Sequence, residues 1–338
     1  MNFFYCLSIL SPLYNGFGRL MSFLYEWLQN YGLVIIFVNV AIKILLLPIN
    51  MSMQRGMARR LFLQDDIMEI KRVYANDPQK VQEAQMELMQ RAGISMTSGC
   101  LPQLAQFLIL IAIWRPIQQP LFYIAGVNAE NLQNIAGLLV DKGLATEQII
   151  QQISRSDVNI LALLREHGNV LAEAIDNGWI RLNQVLDLNF LGMDLGLTPS
   201  FNPAQIFGAE TRASYLPLII LVLVMLATMI ISLAITRKAQ EQDTQSKEEK
   251  ERIKRNPAKQ EQAQDQNNCM MKGMNYFMPL MMLWFAFSAP AAMALFWLTS
   301  NLVAIVQSLL SYNYYTKPAM EMVEARRAEK RIPGRRKK

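Results

Sequence analysis

The chain is nearly without histidine: 338 residues carry one, His167. A lone imidazole excludes H-E-x-x-H metal chemistry, which needs two on one helix face. Cysteine is almost as scarce. Cys6, Cys100 and Cys269 are far apart, odd in number and free of any C-x-x-C spacing. Neither a disulfide framework nor a thiolate metal site is expected, and no cofactor. There is no G-x-x-x-x-G-K-S/T loop, so the chain holds no phosphate-loop NTPase. Its first residues show no basic stretch ahead of the apolar run, and Phe3-Phe4-Tyr5 before Cys6 lacks the small residues of a lipoprotein cleavage site. No removable signal and no Arg-rich transit peptide is expected. Acidic residues are missing wherever the sequence is most apolar. That removes the paired acids, or the nucleophile with its base, on which an intramembrane enzyme would run.

What is abundant is hydrocarbon. Hydrophobic residues make up 52% of the chain against 18% charged, and they collect in runs long enough to cross a bilayer. The predicted fold is an all-α polytopic membrane protein. It has five transmembrane helices, a cytoplasmic helical hairpin and an external helical insert.

Residues 1–30 hold an amphipathic surface helix, with breaks expected at Ser11-Pro12 and Asn15-Gly16. In it Phe17, Leu20, Met21, Leu24 and Trp27 or Leu28 recur at helical spacing, with Arg19, Ser22 and Glu26 between them. Span one covers 31–50. Residues 51–98 are polar and helix-compatible, with Asp77-Pro78 starting a second helix and Gly93 stopping it. This hairpin reads as a docking arm, with a coiled-coil strut or a solvated loop as the alternatives. Residues 99–120 contain span two, and 121–212 an insert broken at Asp141-Lys142-Gly143, His167-Gly168 and Asn177-Gly178. Ile149, Ile150 and Ile153, then Ile160, Leu161, Leu163 and Leu164, predict a small helical cap there. Span three is 214–236, a charged loop fills 237–272, and spans four and five occupy 275–311 with a turn at Ser288-Ala289-Pro290. A basic tail covers 312–338.

Lysine and arginine placement orients these spans, because basic loops stay on the cytoplasmic side. The hairpin carries Arg55, Arg59, Arg60, Lys71, Arg72, Lys80 and Arg91, and the loop after span three and the tail are similarly rich. The longer insert has only Lys142, Arg155, Arg165, Arg181 and Arg212, outnumbered by acids. The expected topology has the N-terminus and insert outside and the C-terminus in the cytoplasm.

Several spans carry polar residues. Asn39 and Lys43 lie four apart in span one and so share a helix face. A charge there costs at least ~2.5–3.5 kcal/mol on insertion scales, and such residues usually face a polar interior. With residue 40 as midpoint, the Lys43 backbone lies ~10 Å below the interface, farther than a four-carbon stem reaches unaided. A hydrated intramembrane site and a snorkelling lysine are the two readings. Gln103 and Gln106 in span two, Thr228 and Ser232 in span three, and Gln307 in span five fall on the cytoplasmic side, with Ser300 and Asn301 near the middle. Such groups need partners or water, so together they describe a cavity open to the cytoplasm. Helix–helix hydrogen bonding accounts equally for the amides and hydroxyls, but not for the lysine.

The order of local motifs resembles the YidC/Oxa/Alb family of membrane protein insertases. The carriers are Asn30-Tyr31-Gly32-Leu33 entering span one, the charged residue before Leu45-Leu46-Leu47-Pro48, Asp77 and Gly93 in the hairpin, and Gly99-Cys100-Leu101-Pro102. Phe296-Trp297 with Ser300-Asn301 completes the set. The likeness covers residues 17–120 and 214–315. Lys43 stands where that family usually has arginine, which keeps the charge and loses the bidentate fork. Ile94-Ser95-Met96 replaces the family's Asn-Pro after the hairpin glycine, and the insert is longer than its usual connection.

The resemblance implies a non-enzymatic insertase of a bacterial plasma membrane. In such a protein a hydrophilic groove takes in polar parts of nascent membrane proteins and releases their apolar segments to the lipid, with or without the Sec translocon. Small-solute transport, with Lys43 as an anion site, is the alternative. Lys330, Arg331, Arg335, Arg336, Lys337 and Lys338 suit either ribosomal RNA or membrane lipids of negative charge. The resemblance favours the translating ribosome. The insert holds none of the polar set, so it is expected to be dispensable for insertion itself.

Overall fold

The computed structural model describes residues 11–74, 77–93, 101–209, 211–244 and 280–331. They are mostly helical and pack as two compact units. One takes its described residues from the stretches up to Ile42, from Gln106 to Ala227 and from Leu280 to Ser300; the other takes the rest.

In the first unit, helix α1 (Ser11–Leu28) runs unbroken through Asn15-Gly16, where the sequence predicts a break. A helical glycine costs only ~1 kcal/mol, which packing elsewhere on the helix can offset. That packing comes from Tyr14, Gly18, Met21 and Tyr25, a buried stripe. At Gly18 an added Cβ would stand 2.8 Å from the carbonyl oxygen of Tyr123, so only glycine admits this approach. The stripe divides the predicted apolar face in two. Met21 turns inward, while Leu20, Phe23 and Trp27 stay exposed.

Helix α2 (Tyr31–Leu45) follows and continues past Ile42 into the second unit, where α3 (Leu47–Leu61), α4 (Gln64–Val73) and α5 (Pro78–Arg91) lie. The predicted span 31–50 is therefore not one helix. Pro48 sits in the first turn of α3, where it offers no N–H and crowds the carbonyl four residues back. Asp77 caps α5 by accepting from Lys80 N at 3.1 Å, and Gly93 takes φ +66° beyond its end.

Helix α6 (Leu101–Gln118) leads to the short α7 (Pro120–Tyr123) and the insert. The insert contains α8 (Ala129–Asp141), α9 (Gln148–Gln152), α10 (Val158–Glu166), α11 (Gly168–Asp176), strands β1 (Asn189–Phe190) and β2 (Met193–Asp194), and α12 (Pro203–Phe207). Its core is larger than a small cap. Leu132, Ile135, Leu139, Val170, Leu188 and Leu195 join Ile160, Leu161 and Leu164 in full burial, whereas Ile150 is exposed. The two strands pair antiparallel across Leu191-Gly192, both at positive φ.

Among the described residues this insert is fastened to neighbouring helices at several places, three of them as follows. At the start of α2, Asn30 Nδ2 donates to Asn189 O (3.1 Å) and Tyr31 N to Asp187 O (3.3 Å), and the Phe190 ring lies where any Cβ on Gly32 would be. At the end of α6, Arg115 Nη1 donates to Ser154 O (2.8 Å) and Gln119 Nε2 to Ile153 O (2.6 Å). At the start of α14 (Ala291–Ser311), Ala291 N and Ala292 N donate to Leu197 O and Leu195 O, each at 2.9 Å. Those are helix-start donors that no intrahelical carbonyl can serve.

A fourth fastening lies inside the insert's root. Asp157 is wholly buried and accepts from Leu121 N (3.2 Å) and Phe122 N (2.9 Å), while its own N–H donates to Gln118 O (3.1 Å). The carboxylate so joins the start of α7 to the start of α10. Burial pushes this carboxyl up to about 7, against the lowering pull of its backbone donors.

Helix α13 (Arg212–Thr244) and α14 run from the first unit into the second. The predicted tail begins as structure: beyond α14 the chain makes a π turn at Tyr312–Thr316 and continues as α15 (Lys317–Arg331). Ala319 is buried against Ala58 and Leu61 of α3, with Phe62, Tyr315, Met320 and Val323 around them, and Arg55 lies 5.1 Å from the Tyr315 ring centre.

Two helical stretches, Arg212–Ile235 and Ala291–Arg326, are long and apolar enough to cross a membrane, and the broken pair α2–α3 is a third candidate. The apolar stretch Leu108–Gln118 is shorter on its described residues. Of the predicted fourth span, residues 280–286 are helical and those before them lie outside the described residues. The chain is an all-α membrane protein with two or three such candidates.

Folding raises the Asp157 pKa, so its stabilisation is fully present below the ordinary carboxylate range and is lost as pH rises through about 7. The detergent-solubilised chain is expected to melt lower above about pH 8 than below about pH 5, and Asp157→Asn to flatten that difference. Asp157→Ala strands the buried Leu121 N–H and the partly buried Phe122 N–H, and is expected to cost about 2–5 kcal/mol in denaturant unfolding. Replacing residues 126–208 by a short linker removes every fastening named above. That chain is expected to melt well below the parent; equal melting temperatures would show that the helices hold their places unaided.

Candidate functional site

The polar residues singled out within the spans fall into two groups. In the first unit Asn39 and Ser300 meet directly. Asn39 Nδ2 donates to Phe296 O at 2.6 Å and to Ser300 Oγ at 2.9 Å, and Ser300 Oγ lies 3.1 Å from Asn39 Oδ1 as a donor. Asn39 is 1% exposed. Its amide is used up on one turn of α14, so the pair clips α2 to α14, and a contact of this kind is worth ~1 kcal/mol. Thr299 beside it turns back on its own helix, donating to Leu295 O at 2.9 Å.

In the second unit Lys43 and Gln307 meet. Lys43 is 7% exposed in the last turn of α2, where the helix dipole favours a positive charge. Its carbonyl oxygen accepts from Gln307 Nε2 at 3.4 Å. Thr228, Ser232 and Asn301 are half-buried in the same unit. Asn39 stands one turn earlier on α2. The side chains of Gln103, Gln106, Lys330 and Arg331 lie outside the described residues, as do Arg335, Arg336, Lys337 and Lys338 altogether.

An aromatic group centres on Phe285. Phe285 packs edge-on against Trp114, Trp284 and Trp297, with ring centres 5.9, 5.1 and 6.4 Å apart. The indole N–H of Trp297 is buried and finds no partner among the described residues. Among those residues no three of His, Cys, Asp and Glu gather as metal ligands.

Some residues that matter here are inconspicuous in the sequence. Ser156-Asp157 before Val158 reads as an ordinary helix start, and nothing local shows that the carboxylate faces the amides of residues 121 and 122. Gln118-Gln119 after an apolar run was a visible signal of a polar clamp, though not of its partner.

Residues 23–318 match the family model described as 60Kd inner membrane protein. Among curated proteins, the membrane protein insertase YidC of Clostridium tetani is 38% identical over 123 residues, 36% of this chain and 50% of that protein. The protein of the same name from Fusobacterium nucleatum is 35% identical over 109 residues, 31% of this chain and 53% of the relative. That of Caldanaerobacter subterraneus is 38% identical over 93 residues, 28% and 45% of the two chains. The chain thus spans about half the length of these relatives, and a smaller share of some others. With the family model matched across all five predicted spans and the residues that clip them, this chain belongs to the 60Kd inner membrane protein family.

Proposed function

We propose that the chain is a non-enzymatic membrane protein insertase of a bacterial plasma membrane. It takes polar segments of nascent membrane proteins into a hydrophilic groove and releases their apolar segments into the bilayer. In this reading it crosses the membrane five times, with the N-terminus and insert outside. The hairpin and tail meet the translating ribosome, and the Sec translocon is an optional partner. The observation that carries the proposal is Lys43: an ammonium side chain, 7% exposed, the one charged residue in an otherwise mostly apolar helix.

Moving a polar segment through a bilayer is limited by the loss of its water. Each carboxylate carried to mid-membrane costs several kcal/mol, and a fixed positive charge at reduced dielectric offsets part of that. Lys43 supplies that charge, and Gln103, Gln106, Thr228, Ser232, Asn301 and Gln307 are the groups proposed to keep water near it. Asn39 and Ser300 have a different part. Their clip positions α2, so the charge stays at a set depth. The transporter alternative gains no support from the family match, since the relatives carrying a printed function are insertases.

The charge role separates from hydration by substitution. Lys43→Gln keeps a water-binding amide and is expected to impair insertion of substrates with acidic translocated segments while sparing neutral ones. Lys43→Arg should serve both, and Lys43→Glu should be worst with acidic segments. Equal loss for acidic and neutral segments, in chains shown by melting to be folded, would leave Lys43 a structural residue.

The tail needs a finer cut than removal from Lys317, because α15 packs on α3 through Ala319. Changing Lys330, Arg331, Arg335, Arg336, Lys337 and Lys338 to glutamine leaves that packing in place. It is expected to weaken co-sedimentation with translating ribosomes at low salt, with a flatter salt dependence. Ribosome binding unchanged while anionic-vesicle binding falls would assign the block to lipid.

A further inference from the structure

The most exposed large apolar side chain among the described residues is Leu191, at 83%. It is also one of two non-glycine residues there with positive φ, at +51°. Leu191-Gly192 forms the two-residue turn of the β1–β2 hairpin, with Gly192 at φ +78°. Such turns place both central residues in the left-handed region, which Asn and Gly enter cheaply and a branched side chain does not. In water this leucine gives nothing back for its strained backbone. A residue that costs the fold on both counts points to a gain made elsewhere.

Its position says where. The residues leading into the turn are bonded to the start of α2, Asp187 and Asn189 through Tyr31 N and Asn30 Nδ2, and Phe190 covers Gly32. The tip is therefore held beside the first turn of the apolar helix, at the depth where that helix leaves water. The same segment is tied to α1, because Asp187 N donates to Tyr25 Oη at 2.6 Å. On the side of α1 opposite Tyr25, Leu20, Phe23 and Trp27 are exposed. Tryptophan at such a depth is the usual marker of a membrane interface.

We propose that Leu191 is a membrane anchor: the hairpin tip enters the headgroup–acyl boundary of the leaflet beside the start of α2. The occupant is phospholipid, not a protein groove, because the tip projects from an element bonded to the point where a span begins. This rests on the reading of α2 as a membrane span that starts near Tyr31. The anchor would hold the insert down on the bilayer and keep its fastenings to α2 under load.

The test uses the full chain with Cys6→Ser, Cys100→Ser and Cys269→Ser, reconstituted in phosphatidylglycerol–phosphatidylcholine vesicles that contain bromine-tailed lipid. A fluorophore is attached singly through Leu191→Cys, Phe37→Cys or Asp176→Cys. Phe37 is exposed on α2 and reports the span; Asp176 is on the polar surface of α11. Quenching at 191 comparable to that at 37, with little at 176, is the expected result. Quenching at 37 alone overturns the anchor and leaves the span standing, whereas none at either site means that the span reading itself has failed. A second measurement guards against a packing role. Leu191→Asn suits the turn better, so it should melt in detergent at or above the parent temperature and yet make the hairpin easier to cleave by protease in vesicles. A lower melting temperature would show that Leu191 packs on protein, and would also overturn the proposal.

Discussion

Donors at the ends of apolar helices have to be satisfied where water is scarce, and this requirement organises the first unit. A helix entering a bilayer leaves its first N–H groups without intrahelical partners at the boundary of the hydrocarbon. Here carbonyl groups of the insert supply several of those partners: Asp187 for Tyr31, Leu197 and Leu195 for Ala291 and Ala292. The carboxylate of Asp157 does the same for Leu121 and Phe122. The insert thereby acts as a template for the helices beneath it. Its own core is built on Leu132, Leu139, Ile160, Leu161 and Leu164, all fully buried.

The polar residues within the helices divide along the same line. Asn39 and Ser300 are mutually satisfied and buried, so they need no water and offer none to a substrate. Lys43 differs in kind, because its side chain carries a charge and is 7% exposed. Asn39 and Lys43 stand one turn apart on α2, and the first is bonded to α14 through Phe296 and Ser300. Gly32 lets Phe190 bear directly on the backbone of α2, as Gly18 lets Tyr123 approach α1.

In the second unit the contacts are of a softer kind. Ala58, Leu61 and Ala319 form a small apolar contact with an arginine over a tyrosine beside it, and the hairpin arms α4 and α5 are largely solvent-exposed. Such a surface has few buried contacts to lose on moving, a property of elements that adapt to a partner.

Much was legible in the sequence because it depends on local chemistry. Long runs without charge mark apolar helices, Asp77-Pro78 marks a helix start, and Gly143 and Gly178 take the left-handed conformations that end α8 and α11. Lys43 was conspicuous because a charge in hydrocarbon is costly wherever it sits. Asn39 was visible as an exception but not as half of a clip, since Ser300 lies 261 residues away. The unbroken passage through Gly16 and the docking of α15 on α3 were decided only in three dimensions. Each depends on whether a distant surface compensates a local cost: packing at Gly18 and Tyr25 carries α1 through a weak helix former, and Ala58 and Leu61 turn a basic tail into a packed helix. The carboxylate of Asp157 is the clearest case. Its residue type and neighbours describe an ordinary cap, and only the folded chain puts two backbone amides from another helix against it.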